Sequence, residues 1–360
     1  MGCCDATNTA LDGMVRRTGD GPAVPAPPLD RRSAIKGLAV AAGGLTLAAC
    51  SRSEPGSPAV RLAFCGQLLC VVPYEVARAR GHFAAEGLNV ELVYTRGGNA
   101  AMQALVGGAV EYAGTSFDVV IQAAANGAAV RRFASTGRLP LYALAVAPAK
   151  SGAIRTVRDL QGTTVAISGQ GNADHALLLF LLDQAGVDAS QVSLATIGTN
   201  VYDALRIGQV DAAMLQEPAL TLIVAAGGRE LVNFMDLDEA SAHLGGPYEF
   251  MGVSVRAAER DARLPEMRRL GAALVRGLAD TRTMPAADIV ASLPEALVAG
   301  SDVPQLVGIL DRYRLSLYPE SIATDLAAAQ RVVRAQEIAG MLAPGRLDAA
   351  AVIDTSVAGS

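Results

Sequence analysis

The sequence predicts an α/β protein of two similar lobes, each a mostly parallel sheet flanked by helices, with a C-terminal helical segment packed on the first lobe. An internal echo carries that prediction. Thr95-Arg96-Gly97-Gly98-Asn99 and Thr196-Ile197-Gly198-Thr199-Asn200 share the pattern T-x-G-x-N, and the stretches Ala104 to Ala113 and Ala204 to Ala213 share A-L-x-x-G-x-V-[DE]-x-A. Upstream of each, Ala63-Phe64-Cys65-Gly66-Gln67 echoes Ala166-Ile167-Ser168-Gly169-Gln170. Echoes in the same order at nearly the same offset indicate a duplicated unit. The chain of 360 residues is 51% apolar and 18% charged, enough to bury a core in both halves.

Each copy reads strand, turn, helix, strand, turn, helix, strand. Gly-Gln follows an apolar strand and T-x-G-x-N follows the next, so both turns stand at strand ends, where glycine lets the chain reverse. Asn99 and Asn200 are expected to cap the helices that follow, because an Asn side-chain oxygen can accept from the free N–H groups of a first turn. Helix N-termini then point at the carboxyl edge of each sheet, the edge at which open α/β sheets take ligands. Two such edges facing each other form a cleft.

In order, Val60 to Cys65 is the first strand, and a loop through Cys70 leads to a helix from Pro73 to Arg80, stopped by Gly81. Leu88 to Tyr94 is a strand, Asn99 to Val106 a helix, Tyr112 to Thr115 a strand, Phe117 to Ala125 a helix and Val130 to Thr136 a strand. Leu139 to Val146 is extended and leaves this lobe. The second lobe has strands at Thr164 to Ser168, Val192 to Thr196 and Ala212 to Leu215. Helices follow Asn172, Asn200 and Pro218, the last suited to a first helical turn. Phe250 to Val255 is an apolar return strand, and helices occupy Leu264 to Arg282, Ala286 to Glu295, Val303 to Tyr313 and Glu320 to Ala339. The expected organisation is a targeting segment at 1–49, a lipidated tether at 50–59, the first lobe at 60–146 and the second at 147–247. Residues 248–340 return to the first lobe with the C-terminal helices, and 341–360 form a tail. Extended crossings near 146 and 248 make a hinge suited to closure around a ligand.

The net charge is −5, and residues 1–49 hold five Lys or Arg against four Asp or Glu, so the negative charge lies in the body. That balance argues against nucleic acid as a partner, which needs clustered cations. Arg31-Arg32-Ser33-Ala34-Ile35-Lys36 resembles a twin-arginine export signal, and the apolar run from Gly37 to Ala49 is too short to span a bilayer. It ends Leu47-Ala48-Ala49-Cys50, a lipoprotein processing pattern, so Cys50 is the expected lipidated N-terminus of an exported protein anchored on the extracytoplasmic side. Of the remaining cysteines in the body, Cys65 and Cys70 either form a disulfide, which export permits, or stay as buried thiols. Three scattered His and these two Cys give no metal spacing, and no cofactor is expected.

No nucleophile–base–orienter set is visible, so no catalytic residue is assigned. The candidate ligand residues are the polar groups at strand ends. Gln67, Leu68, Asn99, Thr115 and Ser116 belong to the first lobe, and Ser168, Gln170, Asn172, Asn200, Gln216 and Glu217 to the second. Each polar one either caps backbone locally, contacts ligand, or does both. Glu217 is either a salt-bridge partner near the next helix or the acceptor for an amine on the ligand. Asp211 and Glu111, in the turn before a strand, are expected to bond local backbone. His175 is either a half-buried structural residue or a ligand contact. Arg96 could add a full charge but occupies a variable position of the repeat, opposite Ile197.

The segment Tyr74 to Val90 (Y-E-V-A-R-A-R-G-H-F-A-A-E-G-L-N-V), then Asp159-Leu160-Gln161-Gly162, Gly208-Gln209-Val210-Asp211-Ala212 and Glu217-Pro218 carry a resemblance. Over residues 60 to 340 the chain resembles the solute-binding proteins of ABC importers of the sulfonate/nitrate/taurine type, with the periplasmic-binding-protein type II fold. The first loop, Cys65 to Cys70, departs from that pattern. The resemblance implies a monomeric receptor that takes a small organic anion or zwitterion and hands it to an ABC permease in the cytoplasmic membrane. The other reading is an enzyme on the same fold, similar to a thiamine-pyrimidine synthase or a menaquinone-pathway lyase. The export signal favours the receptor.

Overall fold

A computed structural model describes residues 59–358. The expected signal, Cys50 and nearly all of the tether lie outside the described residues. The first lobe contains β1 (Val60–Cys65), α1 (Leu68–Ala79), α2 (His82–Ala85), β2 (Val90–Thr95), α3 (Gly98–Val106), β3 (Tyr112–Ser116), α4 (Phe117–Ala125) and β4 (Val130–Ser135). The second contains β5 (Ala143–Val146), β6 (Thr164–Ile167), α5 (Ala173–Ala185), β7 (Ser193–Thr196), α6 (Val201–Arg206), β8 (Ala212–Leu215), α7 (Ala219–Ala225), β9 (Arg229–Asn233) and α8 (Leu237–Leu244). The chain returns through β10 (Met251–Arg256) to α9 (Arg260–Thr283), α10 (Ala286–Ser292), α11 (Glu295–Val298), α12 (Val303–Leu317) and α13 (Leu326–Ile338).

Two five-stranded mixed sheets result, ordered β2-β1-β3-β10-β4 and β7-β6-β8-β5-β9. β1 runs parallel to β2 and β3, and β6 parallel to β7 and β8. β10 is antiparallel to β3 and β4, and β5 antiparallel to β8 and β9. The two antiparallel strands hold the same place in their sheets, and each adjoins a passage of the chain from one sheet to the other. Central strands β3, β5 and β8 are buried along their whole length, whereas the edge strands β2 and β7 are partly exposed. β5 (ALAV) and β8 (AAML) are the apolar runs expected in the middle of a covered sheet, β3 (YAGTS) buries polar residues at its end, and the rim strands are mixed in sequence.

The duplication extends to side-chain chemistry. Glu111 accepts from the Arg61 backbone N–H at the start of β1 (2.8 Å), and Asp211 accepts from Thr164 N–H at the start of β6 (2.9 Å). Each acidic residue of the repeat therefore fixes the neighbouring parallel strand, as the local reading expected. Gly97 and Gly198 occupy one position of the repeat and both have positive φ, +140° and +68°, which a Cβ would disfavour.

Several elements differ from expectation. The helix expected from Pro73 begins at Leu68, because Leu68 to Val72 are apolar and buried; that burial outweighs the N–H that Pro73 cannot donate. Asn99 and Asn200 do not cap: α3 starts one residue before Asn99, and neither α3 nor α6 has a side-chain cap bond. α9 and α10 lie on α1 as expected, and α13 also reaches α5 of the second lobe while packing on α4. Residues 349–352 form a short helical turn, and Ile353 bridges to Arg132 on β4.

α13 is joined to α4 through a buried carboxyl. Asp118 Oδ1 accepts from Tyr248 Oη (3.0 Å) and Gln336 Nε2 (2.8 Å), while Oδ2 has no partner. Burial pushes Asp118 up to about 6, against the pull of those two donors. An unfolded Asp ionises near pH ~4. Between these values the folded state keeps a proton that the unfolded state has released, so Asp118 stabilises less as pH rises, by about 3 kcal/mol once both are ionised. Asp118→Asn removes this dependence. Urea denaturation from pH 4 to 7 should show the variant gaining on the parent as pH rises to about 6, then a constant difference; parallel curves throughout would contradict this burial account.

Candidate functional site

Between the carboxyl edges of the two sheets lie two adjoining cavities of about 100 and 340 Å³, both open to solvent. Both share Gln67, Tyr142, Ser168, Gly198 and Gln216 as walls, so they form one cleft. The size suits a small molecule.

On the first-lobe side, Gly66 and Gln67 alone join β1 to α1, which places the Gln67 side chain at the cleft. Thr115 and Ser116 end β3, Arg96 and Gly97 form the turn after β2, and Gly98 opens α3. Thr115 is fully buried, and its Oγ1 has no protein partner; the buried Oε1 of Gln67 has none either. Buried polar atoms are nearly always bonded. Both atoms belong to residues of one cavity wall. The Thr115 carbonyl is engaged from behind by Arg132 Nη2 at 2.7 Å. The exposed Arg96 stands at the same cavity.

On the second-lobe side, Ser168, Asn172 and Gln216 line the cleft. Ser168 donates through both its N–H and its hydroxyl to the buried Asp174 in the first turn of α5. Burial raises Asp174 while these bonds hold it down. Asn172 Nδ2 donates to Ser168 Oγ (3.0 Å), and its Oδ1 accepts from Asn99 Nδ2 at 2.6 Å. That last bond crosses the cleft between lobes. His175 accepts from Gly171 N–H through Nδ1 (3.2 Å), and burial lowers its affinity for a proton. It thus supports the turn between β6 and α5.

Leu68, Gln216 and Glu217 line the adjoining cavity. Glu217 is buried; its two oxygens accept from Thr221 N–H and hydroxyl, both at 3.0 Å. Burial raises its pKa, and the Thr221 bonds oppose that.

The cleft therefore gathers Gln67, Leu68, Thr115, Ser116, Ser168, Asn172, Gln216 and Glu217. Asn99 lines a separate groove beside α3 and α4 and meets the others through Asn172. Gln170 and Asn200 are exposed and line neither cavity. In the second lobe Ser168 to Asn172 separate β6 from α5, and this longer loop carries Gln170 away from the position Gln67 holds in the first. Sequence reasoning did not single out Tyr142 and Phe250, whose rings meet edge-on at 6.2 Å between centroids at the cleft wall. They lie beside the two crossings, which have no counterpart in the duplication. Their being aromatic residues in crossing segments was the available signal.

The family profile described as NMT1/THI5 like matches residues 71–287, more than half of the chain. The chain belongs to the NMT1/THI5-like family. Among solved structures, this NMT1/THI5-like chain is similar to a protein of Bordetella bronchiseptica RB50 at 23% identity, with a TM-score of 0.74 over 84% of this chain and 96% of that one. It is similar to the periplasmic aliphatic sulphonate binding protein SsuA of Escherichia coli at 21% identity, TM-score 0.64, over 84% and 93%. The alkanesulfonate-binding protein SsuA of Xanthomonas axonopodis pv. citri, bound to MOPS, matches at 20% identity, TM-score 0.65, over 84% and 99%. Compared by sequence with curated proteins, the chain matches none. The structural likeness establishes the periplasmic-binding-protein type II fold for the NMT1/THI5-like chain.

Proposed function

We propose that this protein is an extracytoplasmic solute-binding lipoprotein, anchored through Cys50, that captures a small organic anion in the interlobe cleft and delivers it to the permease of an ABC importer. The observation that carries the reading is the pair of buried, partnerless atoms, Thr115 Oγ1 and Gln67 Oε1, on a wall set at opposed strand edges. A sulfonate or carboxylate oxygen can accept from the Thr115 hydroxyl and, with the Gln67 amide turned, from its NH2 group. The wall is mostly neutral, so an anion is bound by hydrogen bonds and backbone N–H groups rather than by a buried cation, with Arg96 adding charge at the edge. The adjoining cavity offers Glu217 to an amine, since a carboxylate has lone pairs beyond the two that Thr221 uses. That the Escherichia coli and Xanthomonas proteins of this fold are named as sulfonate binders supports the choice of anion.

Calorimetric titration with alkanesulfonates, carboxylates, aminosulfonates and neutral pyrimidines tests the class. A sulfonate or carboxylate should bind, and Thr115→Val should weaken it about tenfold or more, the loss of one buried hydrogen bond. The same substitution should leave stability nearly unchanged, because Oγ1 has no protein partner. Binding of neutral or cationic solutes alone, or chemical conversion of a solute on incubation, would overturn the receptor reading.

The anchoring part rests on the run Leu47-Ala48-Ala49-Cys50. Expressed in its host, Cys50→Ala should leave the membrane fraction or accumulate as precursor. Unchanged fractionation and mass would remove Cys50 from the account.

A further inference from the structure

The departure in the first loop has a chemical consequence. Cys65 ends β1, Cys70 lies in the first turn of α1, and both thiols line the cleft cavity. Both are buried and neither is in a disulfide. The turn between them is closed by Cys70 N–H donating to the Gln67 carbonyl at 3.0 Å. The two thiols thus border one cavity at either end of a tight strand-to-helix turn of four intervening residues. A bond of about 2 Å between them closes that turn covalently. The Thr115 hydroxyl, which has no protein partner, belongs to the same cavity wall.

We propose that Cys65 and Cys70 are a reversible dithiol–disulfide pair, oxidised by a small disulfide that enters through the ligand cleft. The inference does not depend on which solute the cleft binds. The two thiols differ. The Cys70 partner lowers the pKa of Cys65 while burial opposes it, and the same pairing together with burial raises Cys70. The sulfur at the end of β1, that of Cys65, attacks first. Its Sγ bonds to one sulfur of the entering disulfide, whose S–S bond breaks and releases one thiolate, which takes up the proton Cys65 gave up. Cys70, losing its proton, then attacks Cys65 Sγ and expels the second thiol. The protein loses two electrons and two protons, and the small disulfide is reduced to two thiols.

The test uses the full chain equilibrated with glutathione buffers of increasing oxidised fraction, acid-quenched and digested with trypsin. Both cysteines fall in the single tryptic peptide Leu62 to Arg78. That peptide should lose the mass of two hydrogens in oxidised buffer and regain it with dithiothreitol. In Cys70→Ser, a glutathione adduct should accumulate on Cys65; in Cys65→Ser, adduct formation on Cys70 should be slower by about tenfold or more. The inference is overturned if both thiols stay alkylatable at every glutathione ratio, if they react only after denaturant is added, or if they pair instead with Cys3, Cys4 or Cys50. The parent peptide alone decides the main point should either variant fold poorly.

Discussion

One fully buried guanidinium fixes the first lobe's side of the cleft. Arg132, on β4, donates to the carbonyls of Thr115 (2.7 Å) and Phe250 (3.3 Å), and lies 3.4 Å from both Glu249 Oε1 and Ser254 Oγ. It also stacks over the Phe117 ring. One side chain thus ties together the end of β3, the start of α4, the return crossing and β10. The arrangement needs a glycine at 252, where a Cβ would stand 2.5 Å from Arg132 Nη1. Burial pushes Glu249 up to about 7 against the pull of Arg132, and lowers Arg132 itself. Removing one partner of such a buried pair typically costs about 3–5 kcal/mol, because the other charge is left without solvent or counter-ion. What this network positions is the cleft: Thr115 and Phe250 are both on its wall.

The second lobe builds its edge differently, with local bonds among Ser168, Asn172 and Asp174 at the start of α5. The two edges meet in the Asn99–Asn172 bond. A long-range network on one side and a local turn on the other give a rigid wall facing a wall set by a few hydrogen bonds. The helices α12 and α13 add contacts spanning the lobes: Tyr313 Oη accepts from Asn233 Nδ2 of β9 at 2.9 Å.

The duplication made the parallel strands, their order along the chain and the position of the cleft legible, because repeated turns at strand ends mark the carboxyl edge. It also made Glu111 and Asp211 legible as local backbone partners. It misled where the copies diverge. Gln170 matches Gln67 in the pattern but sits on a longer loop, and Asn200 matches Asn99 without either serving as a cap. Arg132 was not legible, since a charged residue in a strand signals nothing until Glu249, far along the chain, is known to be its neighbour. Tyr142 and Phe250 were missed for the same reason: the crossings that bring them together belong to neither repeat. The start of α1 was obscured by Pro73, which reads as a first-turn residue yet stands inside the helix.

The central claim is that a solute is held between both edges at once. Hydrogen exchange, with and without a saturating alkanesulfonate, tests it most directly. The account predicts slowed exchange together at Gly66 to Leu69 and the end of β3 in the first lobe, and at Ser168 to Asn172 in the second. Protection confined to one lobe, or to neither while calorimetry shows the site filled, would contradict it.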